Sequence, residues 1–379
     1  MLKVDILNFI DQLQDSFVNN MKKIGIMNLP LHYGKAPRWL FERMVKLSRE
    51  IVLYIVTEFG NEEFLKKISD PLWFQAFGAV LGFDWHSSGI TTTVCGALKE
   101  ALKDIENEIG IFVAGGKGKT SLKTPDEIIL KCEKTGLEPS KLIYTSKIVA
   151  KIDNTAVQDN FQLYHHTFIF TNKGDWTVVQ QGLNQFNHFA RRYHWLSFDV
   201  KEFVNEPHKA ICCDIKEKNV LNMVSAESSE CREVSVLVSN EKPEKILNDI
   251  EKIKEYSMPK RHSVDLREIN SERLYKIFLK TYETKPQNFE QLLAIEGVGP
   301  KTIRALALIS EIIYGKPPSY NDPVRFSFAH GGKDGHPYPV DKETYDKSIE
   351  ILKKALEKIK LNPSEKNRAI KNLFDFYNS

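Results

Sequence analysis

At 379 residues the chain is too long for one ordinary hydrophobic core, and at about 150 residues per domain it predicts two or three domains. Lys and Arg number 53 against 50 Asp and Glu, a balance that excludes a polybasic tail protein and restricts any nucleic-acid site to a local basic surface. Five cysteines without a C-x-x-C pair argue against a disulfide framework and a cysteine zinc site, and no apolar run approaches the ~20 residues of a membrane span. We therefore expect a cytoplasmic protein with no membrane partner.

Helical periodicity dominates the first hundred residues, because apolar residues recur at helical spacing over 37–59, 73–81 and 91–105. A stretch rich in glycine and lysine follows at 110–124 and is predicted to be a mobile or ligand-facing loop. Its G-G-K-G-K-T string looks like a nucleotide-binding loop, but Val113 stands where the Walker pattern requires its first glycine. Contact with backbone phosphates therefore fits this loop better than ATP binding, and its candidate residues are Lys117 and Lys119.

From residue 147 the sequence becomes rich in residues that favour strands. Segments 148–152, 161–170 and 176–180 are predicted strands, and Asn172-Lys173-Gly174-Asp175 predicts a hairpin turn between the last two. Helix is predicted to resume over 184–202. The sequence thus predicts an α+β fold whose mixed α/β N-terminal domain contains a small antiparallel sheet.

The remaining sequence predicts two further parts. Residues 216–244 are charged, rich in serine and without clear periodicity, so 206–256 is predicted to be a connection or an irregular subdomain after a domain over 1–205. Almost everything after Met258-Pro259 is helical in pattern. We therefore predict an all-helical domain over 257–379.

The most specific local motif is a glycine turn between two short predicted helices. Asn288 can cap the first helix, in which Gln291 occupies the third position. Gly297-Val298-Gly299 ends that helix, and Pro300 suits the first position of the next. The free N–H groups of such a helix start, together with Lys301, favour a phosphate and fix position on DNA without reading its sequence. The predicted DNA-binding residues are Gly297, Val298, Gly299, Lys301 and Thr302.

The string from Leu293 to Thr302, L-A-I-E-G-V-G-P-K-T, closely resembles the helix-hairpin-helix of the DNA glycosylase superfamily typified by endonuclease III. In the members that also act as lyases, the lysine that matches Lys301 attacks the sugar C1′, and the aspartate of a P-V-D string assists. The resemblance therefore implies that Lys301 and Asp341 are catalytic. Asp341 follows Lys301 by 40 positions, which exceeds the usual spacing. Asp322 is a nearer carboxylate for the same role, and the alternative is that Lys301 only holds phosphate.

A second candidate site consists of carboxylates and imidazoles in the N-terminal half. Such groups can hold Mg²⁺ or Mn²⁺ for phosphodiester hydrolysis, and Asp153, Asp159 and His165 are the candidate ligands. Neighbours in a strand point to opposite faces, so only one of His165 and His166 can join a given site. A polar sheet face with buried hydrogen bonds is the alternative interpretation. The full set of candidates is Asp153, Asp159, His165, His166, Asp84 and His86.

Two arginines are interleaved with aromatic residues in the string from Ala190 to Trp195. This composition suits phosphate contact and base stacking by Arg191 and Arg192, although a helix end with surface arginines would explain it equally well. Together with 31–39, 83–89, 114–120 and 164–166, this string resembles a prokaryotic family known only as a conserved domain of unknown function. That resemblance covers nearly the whole chain and implies no activity.

Three function classes follow from these observations. The first, which we favour, is a base-excision DNA-repair enzyme, a glycosylase or abasic-site lyase that uses Lys301. The second is a metal-dependent DNA nuclease with its site in the N-terminal domain, and the third is a non-catalytic DNA-binding protein. DNA is the expected partner in all three. No cofactor is indicated with certainty, and Mg²⁺ or Mn²⁺ belongs to the nuclease alternative alone.

Overall fold

The computed structural model describes residues 36–83, 88–213, 215–254, 271–324, 342–358 and 362–378. Within these ranges, helices surround a small antiparallel sheet, which confirms the predicted α+β class. None of the described helices combines the length and apolar character needed to span a membrane.

Five helices of the described residues precede the first strand. Helix α3 begins after Asp70, whose carboxylate accepts the N–H of Trp73 at 2.8 Å, and Pro71 occupies its first position, where no donor is needed. The predicted helical character of this region is confirmed for the described residues. The five are α1 (Arg38–Phe59), α2 (Asn61–Ser69), α3 (Pro71–Val80), α4 (Gly89–Leu102) and α5 (Glu106–Ile109).

The central sheet has five strands in the order β1-β3-β4-β5-β6, and every neighbouring pair is antiparallel. Its strands are β1 (Ile111–Lys117), β3 (Gln162–Thr171), β4 (Trp176–Leu183), β5 (Ala190–Leu196) and β6 (Ala210–Cys212). A separate pair joins β2 (Val157–Gln158) to β7 (Leu221–Asn222). The predicted hairpin between β3 and β4 is confirmed.

The prediction of a mobile loop over 110–124 was wrong in its first half, because Ile111–Lys117 forms β1 and pairs with β3. The glycines that suggested a loop permit close approach of these strands. Gly115 has φ +89°, and a Cβ there would lie 2.2 Å from the carbonyl oxygen of His166. Any side chain at this position would clash with the neighbouring backbone.

Two further assignments were wrong for reasons of burial. The predicted strand over 148–152 belongs to a helix, because Leu142, Thr145 and Val149 are buried at helical spacing. The predicted helix over 184–202 contains β5, all seven residues of which are buried. A strand covered on both faces has no alternating pattern, so its periodicity is not visible in the sequence.

Helices α6 (Thr124–Thr135) and α7 (Pro139–Lys151) lie between β1 and β2, and the chain after β7 is helical where described. The prediction of an irregular 216–244 segment was wrong, because Ser229–Ser239 forms a helix. Its buried face includes Arg232 and Ser235, so the hydrophobic period is weak. The later helices are α8 (Ser229–Ser239), α9 (Pro243–Lys254), α10 (Ser271–Thr284), α11 (Phe289–Ala294), α12 (Pro300–Ile312), α13 (Lys342–Lys358) and α14 (Pro363–Asn378).

The two faces of the sheet are covered by two separate hydrophobic cores. Helices α1 to α4, together with α13 and α14, pack on the face that presents Val113, Ile169 and Val179. Helices α6 to α12 pack on the face that presents Phe168 and Trp195. This second core draws residues from all three predicted domains, and the last two helices join the first core. The domain boundaries at 205 and 257 therefore remain predictions.

Candidate nucleic-acid interface

Helices α11 and α12 meet through the turn that the sequence singled out, and residues 295–302 are called the hairpin below. The side chain of Asn288 accepts the N–H of Gln291 at 2.9 Å, so the predicted cap of α11 is confirmed. The chain reverses at Gly297, which has φ +92°, a left-handed conformation that favours glycine. Val298 is only 2% exposed and anchors the turn in the core.

Helix α12 presents its first turn to solvent. Gly299 is its N-cap residue and has no side chain, so the first-turn N–H groups receive no side-chain cap from it. Pro300 and Lys301 are exposed, whereas Thr302 is 2% exposed and faces the core. The hairpin therefore offers backbone donors and the Lys301 ammonium to a ligand. Because the side chain of Thr302 is buried, only its backbone N–H is left for the predicted contact with DNA.

Neighbouring elements hold the hairpin in place through its backbone carbonyls. Lys151, at the end of α7, donates to the carbonyl of Ile295 at 2.7 Å, and burial lowers the pKa of this ammonium. Gln158 of β2 donates to the carbonyl of Pro300 at 2.9 Å and accepts from Arg304 Nε at 2.8 Å. These bonds hold the start of α12 against α7 and β2, and they use backbone carbonyl groups and the Arg304 side chain rather than the first-turn N–H groups of α12.

The nearest acidic group to the turn is neutralised by a lysine. Glu296 lies within the turn and is 93% exposed, and its carboxylate is 2.9 Å from the Lys280 ammonium. The hydrogen bond from Lys280 lowers the Glu296 pKa, so this carboxylate is ionised at neutral pH. An approaching phosphate would thus meet an ion pair rather than an isolated negative charge.

Arg191 and Arg192, predicted to contact nucleic acid, are both 0% exposed and lie on opposite faces of β5. Arg191 is 2.8 Å from Asp159 and 2.7 Å from Asp322, and Tyr193 donates to Asp159 at 2.7 Å. We call Asp159, Arg191, Tyr193 and Asp322 the sheet cluster. The alternative of a helix end with surface arginines is wrong, because the segment is a buried strand, and burial leaves neither arginine accessible for the predicted contact with nucleic acid.

Its position in the sheet cluster also prevents Asp322 from acting as the carboxylate that assists Lys301. Its carboxylate accepts two N–H groups of Arg191 and the backbone N–H of Glu217. An acceptor so completely occupied, and 0% exposed at its side chain, cannot reach a DNA sugar. The other proposed partner of Lys301, Asp341, lies outside the described residues.

The proposed metal ligands Asp153, Asp159 and His165 do not form one site. Asp153 is buried and bonded to Gln180, Trp195 and His208. Asp159 belongs to the sheet cluster. No group of three or more metal-ligating side chains occurs within the ranges that the structure describes.

His165 and His166 point to opposite faces of β3, as predicted. His166 Nδ1 lies 2.7 Å from Gln180 Oε1 and its Nε2 lies 2.8 Å from Ser146 Oγ, inside the second core. On the other face, His165 Nε2 lies 2.9 Å from Thr167 Oγ1, and burial lowers the His165 pKa to about 3. Both rings are therefore neutral structural groups at physiological pH.

Of the four remaining predicted positions, two are exposed and two lie outside the residues that the structure describes. Lys117 and Lys119 are exposed, and the Lys117 ammonium lies 5.9 Å from the centre of the Tyr164 ring. Both remain available to an anion. Asp84 and His86 lie outside the described residues.

Residues 25–340 match a known family, and this range includes the sheet, the second core and the hairpin but ends before α13 and α14 of the first core. The chain belongs to the family described as protein of unknown function DUF763. This membership confirms the whole-chain resemblance to a family of unknown function and names no activity. No curated protein matches the chain, and no solved structure matches it. The resemblance of the hairpin to the endonuclease III superfamily is not tested by these comparisons.

Sequence reasoning missed two residues that support the hairpin in this member of the family. Lys151 fell within the predicted strand over 148–152, and Gln158 was given no role, although each contacts the backbone around the start of α12. A helical assignment of 139–151 would have placed Lys147 and Lys151 on one face. The contact of Gln158 with a residue 142 positions later has no sequence signal.

Proposed function

We propose that this protein grips the phosphate backbone of duplex DNA through the hairpin and acts in DNA repair. The observation that carries the proposal is the exposed and uncapped start of α12, held by a buried Val298 and flanked by Lys301. A 13-residue helix concentrates a partial positive charge at this end, and its free N–H groups are donors for phosphate oxygens. Such contacts are indifferent to base sequence.

Reversal of the charge at Lys301 tests whether the hairpin binds the DNA backbone. Full-length protein carrying Lys301→Glu is compared with Lys103→Glu, an exposed lysine at the end of α4, on the other side of the sheet. We expect Lys301→Glu to weaken binding of a labelled duplex about tenfold and to reduce the slope of log K against log salt by at least ~1, since a phosphate contact is lost. Equal losses in both variants would show that only net charge matters and would overturn the proposal.

The chemistry that we propose at this site is base excision with Lys301 as the nucleophile. Its support is the exposure of the Lys301 amine beside the phosphate-binding N–H groups, where a sugar C1′ can approach. Attack on an abasic sugar would form a Schiff base with loss of water, and borohydride would reduce it to a stable adduct. We expect an adduct with abasic duplex that persists in EDTA and is absent in Lys301→Ala at saturating protein. Full duplex binding without any adduct would leave the grip in place and overturn the chemistry.

A further inference from the structure

A cleft outside both the hairpin and the sheet cluster combines an exposed aromatic ring with several cations. It lies between α1, the end of α3 and α14. Trp39, Arg43 and Lys46 follow one another on α1 at helical spacing and therefore share one face. Arg368 reaches the same space from α14. We call these four residues the tryptophan cleft.

Trp39 positions both arginines. Its side chain is 51% exposed, although large aromatic rings are usually buried. The Arg43 guanidinium carbon lies 5.3 Å from the ring centre, and the Arg368 guanidinium carbon lies 5.6 Å from it. Both distances are within the range of a cation–π interaction. The two guanidinium groups are thus held by an aromatic face, which occupies none of their N–H donors.

The cations of the cleft are poorly neutralised. Two carboxylates also line the cleft: the half-buried Glu365 lies 3.8 Å from Arg43, and Glu42 pairs with Arg38. Within the described part of the chain, neither Lys46 nor Arg368 forms an ion pair. A guanidinium presents a planar fork of donors that matches phosphate oxygens, so this side of the cleft is complementary to a phosphate.

The floor of the cleft is apolar. It is lined by Leu40, Leu47, Val80, Leu81 and Ala369, with the amide of Asn372 beside them. Gly82 also lines it, and a Cβ at that position would approach both Leu40 and Asn372 to 3.5 Å. An occupant must therefore combine a negative group with a flat or apolar one. Inorganic phosphate would contact Arg43, Lys46 and Arg368 but would leave the apolar floor uncovered.

We propose that the tryptophan cleft binds a nucleotide unit of single-stranded nucleic acid. Its phosphate contacts Arg43, Lys46 and Arg368, and its base packs on the solvent-exposed part of the Trp39 ring, beside the two guanidinium groups and next to the apolar floor. Aromatic rings next to cations bind single strands in this way without reading their sequence. The site is independent of the hairpin, which we assign to duplex DNA.

The test measures binding of a labelled oligothymidylate of about 12 nucleotides to full-length protein. We expect Arg368→Gln and Trp39→Leu each to weaken this binding about tenfold. Lys103→Gln is the matched control, because Lys103 is exposed and loses the same charge but lies at the end of α4, outside the lining of the cleft. It should change affinity less than about twofold. Lys301→Glu should leave oligothymidylate binding unchanged even where it weakens duplex binding.

Two results would overturn the proposal. An equal effect of Lys103→Gln and Arg368→Gln would indicate general electrostatic attraction. Competition by inorganic phosphate as effective as that by thymidine 5′-monophosphate would exclude a role for the base. Because the substituted side chains are exposed, unchanged thermal unfolding of each variant would show that a loss of binding is not a loss of fold. Failure of duplex binding alone would contradict the hairpin proposal and leave the cleft intact.

Discussion

The sheet cluster and the hairpin hold their cations in opposite environments. Arg191 is fully buried and bonded to two carboxylates, whereas Lys301 is exposed and forms no ion pair within the described ranges. A buried charge must be paired because its desolvation is costly, and pairing leaves nothing for a ligand. An exposed charge at an open helix start can meet a ligand at little cost. Solvent exposure, rather than the pattern of charges in the sequence, distinguishes a cation that stabilises the fold from one that is available to a ligand.

The largest expected effect comes from breaking the sheet cluster. Arg191→Met removes the only cation between Asp159 and Asp322 in this cluster and leaves two buried carboxylates unpaired. We expect a loss of about 3–5 kcal/mol in the free energy of unfolding, measured by urea denaturation. Lys209→Met is the control, since it breaks an ion pair with Asp199 whose partners are 40% and 41% exposed, and should cost less than ~1 kcal/mol. Similar losses in the two variants would contradict the structural role of Arg191.

The second prediction concerns the stability of the sheet in acid. Burial lowers the His165 pKa to about 3, whereas the side chain in the unfolded chain has the ordinary histidine pKa of about 6.5. The unfolded state therefore binds more protons below pH 6.5, so this group makes stability fall as the pH drops from 6.5 toward 3. One such proton corresponds to about 1.4 kcal/mol per pH unit. His165→Gln should flatten the decline between pH 6.5 and 4.5 by roughly 2 kcal/mol relative to the native protein, and an unchanged slope would argue against it.

The smallest expected change in stability comes from two glycine substitutions, which together test whether the turn of the hairpin contributes to duplex binding as well as to the fold. Gly297→Ala and Gly136→Ala both force alanine into a left-handed conformation, at φ +92° and +73°. Each should cost about 1–2 kcal/mol of stability, measured by thermal unfolding. Only Gly297→Ala should also weaken duplex binding, because Gly136 ends α6, far from the hairpin along the chain. Equal duplex affinity in the two variants would separate the turn from DNA binding.

The hairpin was predictable because its signals are local. The cap of α11 and the start of α12 depend on Asn288, Gln291 and Pro300, each of which acts within one turn of helix. Position 297 favours glycine because its own backbone has a positive φ. The arginines of β5 were not predictable in the same way. Arg191 meets Asp322 across 131 residues, and no periodic pattern reports a strand that is covered on both faces. The tryptophan cleft likewise depends on the meeting of α1 with α14.

The sequence by itself determined the α+β class, the N-terminal helices, the β3–β4 hairpin and the glycine turn between α11 and α12, because these depend on periodicity, capping and local backbone preference. Only the tertiary structure decided which charged residues face solvent. It placed Arg191 and Asp322 in a buried ion pair, and it left Lys301 and Trp39 exposed. The reason is physical: solvent exposure depends on what packs over a side chain, and here those contacts come from residues distant in sequence.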